Sequence, residues 1–360
     1  MKKIKIAIMG SWNSDSGAAL HSEEIGRELA KKHKLTIFSS FPYSFHGTIH
    51  TAKDESYVKR CFTLSNFKKP TLNEKPFLTS DYNIFVAEDL GMLPKTQLKK
   101  IFPKIKSKAK TINIIHDGKP SSDPEFWKFN WDAVVCFNKK YKAFLKKYYP
   151  SKKIHIIPYP CHPILKGNKK LARKYLGLPL NKKIVFLFGA GAKRALSTIP
   201  TIASLDFPLL ILVVAKEPST IKEFEKLKKL GMPIEIRQKA LSLKQLYNYL
   251  HAADVLLYHQ ESAHHVVVPS TIFQCLGSGC PIVAFKSNFT ETFNGEILTY
   301  SNLTQLKNAL MEILKKREKY KNLIKKAMNY AKKNSTLSIV KNYIKLFNQI
   351  LEKDKLNSKR

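Results

Sequence analysis

Short apolar runs alternate along this chain with longer stretches whose apolar residues recur every three or four positions. That is the pattern of strands and crossover helices in a parallel α/β protein. In the first half the apolar runs predict strands over 4–9, 35–39, 82–87, 111–115, 133–136 and 154–157. A Gly/Ser/Asn/Asp loop over 10–17 leads into a helix over 19–32, where Leu20, Ile25, Leu29 and Ala30 fall at roughly helical spacing. Further helices are expected over 95–105 and 138–149. Pro158, Pro160 and Pro163 then interrupt regular structure, and the hinge between two domains is expected there.

The second half repeats the scheme. Strands are expected over 184–188, 209–215, 234–237, 255–258 and 281–285; the run over 209–215 is almost wholly apolar, as in a central strand buried on both faces. Helices are expected over 197–204, 220–230 and 243–251. Another begins at Pro269-Ser270 and is closed by Gly277, Gly279 and Pro281. Lysine-laced helices follow over 302–333, then an amphipathic helix over 337–351 and a frayed tail over 353–360.

A chain of 360 residues ordinarily forms two domains. The expected division is 1–160, 161–335 and a C-terminal helical segment, 336–360, crossing back to the first domain. The expected fold class is α/β, with two doubly wound Rossmann-like domains facing a cleft. A hydrophobic content of 44% excludes a disordered chain. The longest clean apolar run, 207–215, contains Pro208 and falls far short of the roughly 20 residues that span a bilayer. Residues 1–6 alternate charge with apolar side chains, which predicts a strand and not a signal peptide. Five cysteines without a Cys-x-x-Cys pair suggest reduced core thiols in a cytoplasmic protein.

Charge changes this picture. Lys and Arg number 63 against 27 Asp and Glu, a net +36. Such a field attracts anionic surfaces. Lysines on solvated helix faces are one reading. Attraction to an anionic membrane surface, with a peripheral location at the inner face of the cell membrane, is the next. Nucleic acid ranks last, because no arginine-rich tract or base-reading motif is present. The helix over 138–149 sets Lys139, Lys140, Lys142, Lys146 and Lys147 beside Tyr141, Phe144, Leu145, Tyr148 and Tyr149. It suits either a membrane interface or ordinary packing on the sheet.

Candidate chemistry gathers where predicted strands end, since ligands collect at the carboxyl ends of parallel strands. The loop over 11–17 lets backbone approach a phosphate or sugar, although the Gly-x-Gly-x-x-Gly fingerprint is absent; a turn glycine is the plainer reading of Gly17. His116 ends a strand in Ile-Ile-His-Asp-Gly and is either a structural histidine or a site residue. Glu261, His264 and His265 lie in a polar loop. There is no Asp-x-Asp and no His/Cys group at ligand spacing, so neither metal nor cofactor is expected.

Together Ser16 to Ala18, His116-Asp117, Gly189 to Arg194 and Pro269 to Pro281, with Ile156-Ile157-Pro158, resemble the GT-B glycosyltransferases, particularly the retaining group called family 4. The resemblance implies transfer of a hexose-like sugar from a nucleoside diphosphate sugar to the hydroxyl of a lipid-linked or glycan acceptor, in glycan or cell-envelope biosynthesis and without a metal. It places donor diphosphate at Lys193, Arg194, Ser270 and Thr271, and donor ribose at Gln274. It places acceptor at Gly17 and Ala18, and catalytic contacts at His116 and Glu261. His116 would touch a sugar hydroxyl or the oxocarbenium side and is not read as a general base.

One departure stands out. The family carries two Glu residues eight apart, and here those positions hold Val266 and Gln274. Gln can still hydrogen-bond a hydroxyl; Val cannot. A loop of different length would let Glu261 take the vacant role. Two other classes therefore remain: a sugar-nucleotide epimerase of the same fold, and a catalytically silent basic protein binding nucleic acid or anionic membrane.

Overall fold

The computed structural model describes residues 3–44, 50–316 and 318–357. The strand start at 1–2 and the last three residues of the expected frayed tail lie outside them. The chain forms two compact units. Unit 1 comprises Met1–Pro160, His265–Val268 and Thr336–Arg360; unit 2 comprises Cys161–His264 and Pro269–Ser335.

Unit 1 is built on seven strands: β1 (Lys5–Gly10), β2 (Lys34–Ser40), β3 (Val58–Phe62), β4 (Ile84–Glu88), β5 (Lys110–Ile114), β6 (Ala133–Cys136) and β7 (Ile154–Ile156). Their order is β3-β2-β1-β4-β5-β6-β7, and every pairing is parallel. Helices α1 (Gly17–Ala30), α2 (Lys75–Thr79), α3 (Lys95–Lys108) and α4 (Lys139–Leu145) make the connections. The order reverses between β1 and β4, where Met9 pairs with Phe38 on one side and Ala87 on the other. A crevice opens at the carboxyl end of such a reversal.

Unit 2 begins with α5 (Lys169–Leu176). It continues through β8 (Lys183–Phe188), α6 (Ile199–Ala203), β9 (Leu209–Ala215), α7 (Pro218–Lys229), β10 (Ile234–Gln238) and α8 (Leu243–Ala252). Then come β11 (Val255–Tyr258), α9 (Ser270–Leu276), β12 (Ile282–Phe285), β13 (Leu298–Tyr300), α10 (Leu303–Leu314) and α11 (Glu318–Lys333). The strand order β10-β9-β8-β11-β12-β13 is again parallel throughout and reverses between β8 and β11. Every residue of β9 is buried, as its continuous apolar run demands. The last helix, α12 (Thr336–Asn357), belongs to unit 1; the Thr336 hydroxyl donates to Glu24 on α1 at 2.6 Å.

Several boundaries differ from expectation. The helix expected over 138–149 stops at Leu145, whose carbonyl accepts from both Tyr148 and Tyr149 as the chain tightens ahead of Pro150. Tyr141, Leu145 and Tyr149 are buried, while Lys139, Lys140, Lys146 and Lys147 are exposed. Tyr141, Leu145 and Tyr149 therefore pack inward, whereas Phe144 is half-buried and Tyr148 exposed. The helix expected over 197–204 is a 3-10 segment, Ala190–Thr198, followed by α6, which restarts where Pro200 occupies a first-turn position. The tail does not fray at 353, because α12 continues to Asn357. Strands β3 and β13, and helices α2 and α5, escape the periodicity. β3 and β13 are sheet edges, and α5 leaves Leu171 and Tyr175 exposed, so no buried stripe marks it. No helix among the described residues is long and apolar enough to cross a membrane. All five cysteines are buried and free.

One ion pair ties the start of unit 2 to its sheet. Arg173 on α5 is buried and donates to the carbonyls of Ala252, Pro179, Leu180 and Lys182 and to Asp254 Oδ2 at 2.7 Å. Asp254 also accepts from Lys169 and from the Ile184 amide that opens β8. Burial would raise the Asp254 carboxyl, but Lys169, the Ile184 amide and Arg173 together hold it below its ordinary value. Its stabilisation is therefore present above the unfolded carboxyl's range and is lost as pH falls through the depressed value. Asp254→Ala strands a buried guanidinium and is expected to destabilise the protein by about 3–5 kcal/mol. Urea denaturation at neutral pH measures this, and the penalty should shrink in acid.

Candidate functional site

The reversal in unit 1 brings together three side chains that are far apart in sequence. Glu88 ends β4, after the apolar run Ile84 to Ala87, and is buried. A Cβ at Gly10 would lie 2.9 Å from its Cβ, so a glycine ending β1 is what admits it. Glu88 Oε1 accepts from His21 Nδ1 at 2.6 Å and from His116 Nε2 at 2.5 Å. His21 lies one turn into α1, whose N-cap Ser16 accepts from the Ala19 amide. Its ring is fully buried against Phe137, Tyr159 and His116, with centroids 5.2, 4.9 and 5.1 Å away. His116 lies two residues beyond β5, and Tyr141 on α4 donates to its carbonyl at 2.9 Å, which fixes that segment.

The three groups titrate together. Burial would raise Glu88, yet His21 and His116 hold it at about 2. Burial lowers His21 despite its bond to Glu88. Burial would also lower His116, but the bond and charge of Glu88, helped by Asp89 and Asp117, raise it. These directions favour an anionic Glu88, a His21 that gives up its second proton readily and a His116 that holds its second proton more tightly than an ordinary histidine. Burial raises Asp89 to about 6 and also raises Asp117. Asp89 holds a left-handed backbone (φ 59°), as does Asn13 (φ 53°) in the loop before α1; both positions border the same edge.

That loop is firmly held. Trp12 Nε1 donates to Glu55, Arg60 donates to the Trp12 carbonyl, and Arg27 donates to Asn13 Oδ1. Gly17 is the first residue of α1, so it is not a left-handed turn glycine; its carbonyl accepts from the Tyr159 hydroxyl at 3.0 Å. Gly17 is exposed and Ala18 half-buried. Unit 1 also takes in residues 265–268. Val266 donates its amide to the Gly118 carbonyl at 3.1 Å, and a Cβ at Gly118 would fall 1.5 Å from the Val266 oxygen. The position eight before Gln274 thus lies two residues from His116, as backbone against backbone.

In unit 2 the loop after β8 turns at Gly189 (φ 69°) into the 3-10 segment carrying Lys193 and Arg194, both exposed. The two adjacent cations diverge. The charge of Arg194 is felt at Tyr258, which ends β11, whereas that of Lys193 is felt at Glu223 on α7. An Arg194 nitrogen lies 3.4 Å from where a Gly191 Cβ would stand. Helix α9 buries Ile272, Phe273, Cys275 and Leu276, which leaves Ser270, Thr271 and Gln274 half-exposed, with Ser270 and Gln274 one turn apart. Glu261 is exposed; the residues just after it are pinned by Asn288, which bonds both the amide and the carbonyl of Ala263. Sequence reasoning did not find His259, whose Nδ1 is 2.6 Å from the Tyr300 hydroxyl and whose ring stacks on Phe285 at 4.6 Å. It did not find His21 or Glu88 either. A carboxylate closing the apolar run of β4 was the available signal for Glu88.

His21, Glu88 and His116 are also a donor set that could hold a metal. The sharing of one carboxylate oxygen argues for proton sharing: Glu88 Oε1 faces both His21 Nδ1 and His116 Nε2. A metal-bound imidazole also donates its second N–H to a partner, and His21 Nε2 is buried with none.

No family model matches this chain. Solved structures do. HepE from Anabaena, in complex with UDP and glucose, superposes with a TM-score of 0.71 at 16% identity, covering 96% of this chain and 100% of that one. Sucrose-phosphate synthase from Thermosynechococcus elongatus gives 0.70 at 16% identity over 97% and 99%. The lipopolysaccharide outer core galactosyltransferase WaaB gives 0.61 at 12% identity over 98% and 100%. At these identities the likeness is one of fold. Both units are Rossmann-like, and the chain has the GT-B fold.

The Gly118 contact yields a direct test. Gly118→Ala forces the Val266 carbonyl away and is expected to cost about 2–3 kcal/mol. Amide exchange at 265–268 should accelerate along with it; unchanged protection there would mean that this segment is not held by residue 118.

Proposed function

We propose that this chain is a nucleotide-sugar glycosyltransferase that moves a hexose-like sugar to an acceptor hydroxyl. The observation that carries the reading is the carboxyl edge of the unit 2 sheet. There the β8 loop with Arg194 and the polar face of α9 stand on either side of the strand reversal, in a chain whose fold matches HepE bound to UDP-glucose over 99% of its length. In this reading Arg194 meets the donor diphosphate, with Ser270 and Thr271 supplying hydroxyls and Gln274 reaching the ribose. Lys193 contributes long-range charge. The acceptor binds unit 1 near Gly17 and Ala18, with His116 as the sugar-side contact, and Glu261 is the carboxylate closest in sequence to the vacant Val266 position. Retention of configuration, a lipid-linked or glycan acceptor and action at an anionic membrane surface belong to the same proposal.

Val266 and Gln274 favour one competing reading, a nucleotide-binding protein without transfer activity. Calorimetry and turnover separate the two. A transferase binds UDP-glucose or another nucleoside diphosphate sugar and releases the nucleotide only when acceptor is present. A silent protein binds and releases nothing, and an epimerase converts the donor without acceptor.

Lys193→Ala/Arg194→Ala together should weaken donor binding by about 2–4 kcal/mol. Because the two side chains diverge, Arg194→Ala alone should carry most of that loss. Equal single-mutant effects would remove the distinction. Gln274→Glu should preserve or improve affinity and Gln274→Leu should lower it; if Leu binds donor as well as Gln does, residue 274 is only helix surface.

A further inference from the structure

We propose that Glu88 is a positioning residue for His116. Clamped between the two imidazoles, it keeps the His116 ring doubly protonated, so that His116 serves the unit 1 site as a hydrogen-bond donor and not as a base. The inference deepens the transferase reading but stands on geometry that is independent of it.

Both imidazoles converge on a single oxygen, Glu88 Oε1. Two N–H groups can share an anionic oxygen, whereas two imidazole lone pairs cannot. His21 therefore carries its proton on Nδ1. Its Nε2 is then a bare acceptor in an aromatic box of Phe137, Tyr159 and Tyr343, and it has no partner. A second proton there would put an unpaired N–H, and a charge, into that box, so His21 stays neutral. His116 is placed differently. Its side chain is 15% exposed, and Nδ1 is not among the buried atoms without a partner. That nitrogen is the one through which His116 can meet solvent or a ligand. Of the two rings that touch Glu88, only His116 can hold a full positive charge with both protons satisfied.

The groups facing this ring reinforce the assignment. Glu88 and Asp89 come from the end of β4, Asp117 from its own strand end, and His21 from α1. Lys95 on α3 opposes them weakly through Asp89 and Asp117. Tyr159 and Tyr343 are phenols that burial keeps neutral. The balance is anionic, which suits a cationic ring. A raised His116 contributes stability below the ordinary histidine range and loses it as pH rises through the raised value; depressed Glu88 contributes above the ordinary carboxyl range and loses it in acid. Activity that depends on the imidazolium should fall on the alkaline side.

Long-range ¹H–¹⁵N spectra of histidine-labelled full-length protein test this without substrate. In the wild type, more than half of His116 should carry both protons at pH 6.5, while His21 stays a neutral Nδ1–H tautomer. In Glu88→Gln the His116 midpoint should fall by at least one pH unit, a tenfold loss of proton affinity. The alkaline limb of nucleotide-sugar turnover should move down with it. A neutral His116 in the wild type at pH 6.5 overturns the proposal, and so does an unmoved midpoint in folded Glu88→Gln. If that variant fails to fold, the wild-type tautomers decide alone. Stoichiometric Zn²⁺ binding that abolishes both histidine titrations would also overturn it, in favour of a metal site. Correct tautomers in a protein that transfers no sugar would uphold the role of Glu88 and sink the transferase reading instead.

Discussion

Central parallel strands buried on both faces leave only their ends in contact with water, and this constraint positions the candidate site groups of both units. β9 is buried along its whole length, and β4 is apolar until Glu88. Within each sheet the strand order reverses once, between β1 and β4 and again between β8 and β11. The connections leave in opposite directions at those points, so the backbone parts and a crevice forms at the carboxyl edge. Glu88 with its two histidines occupies one reversal. Gly189, Arg194 and Tyr258 surround the other.

The two edges differ in electrostatic character, and neither follows from the net charge. With a formal +36 the protein is strongly basic, yet the unit 1 edge gathers Glu88, Asp89 and Asp117 around a single imidazolium. Lysines such as Lys139, Lys140, Lys146 and Lys147 stand on exposed helix and turn surface. Charge on such surfaces is solvated and screened by salt, whereas charge at a strand end inside a crevice is not. The global count therefore says little about either edge, whose character is set by the groups gathered at the strand ends.

Strained backbone recurs at the unit 1 edge. Asn13 and Asp89 both hold left-handed backbones beside the unit 1 edge, and Asn and Asp tolerate that region better than bulkier residues. The loop carrying Asn13 is locked by Arg27, Arg60 and Glu55 through the hydrogen bonds of Trp12 and Asn13. A rigid loop on a rigid sheet holds its neighbours in one geometry, which the bonds of 2.5 and 2.6 Å to Glu88 require.

The chain's own pattern determined the α/β class, the two-part organisation of the sheets and most of the strands. Central strands show as continuous apolar runs and helices as burial every third or fourth residue, and the sequence records both directly. His116, Arg194 and Gln274 were legible as candidates because each lies beside a recognisable strand end or helix start. Edge strands such as β3 and helix α5 were not, since a half-solvated element needs no apolar stripe. Tertiary structure alone decided the rest. Glu88 meets His21 across 67 residues and His116 across 28, by way of helical crossovers that no local spacing encodes. Adjacent Lys193 and Arg194 look equivalent in sequence, but a tight 3-10 turn sends one toward α7 and the other toward the end of β11. Local periodicity reports which face of an element is buried; which elements meet at a strand end depends on how the whole sheet is wound.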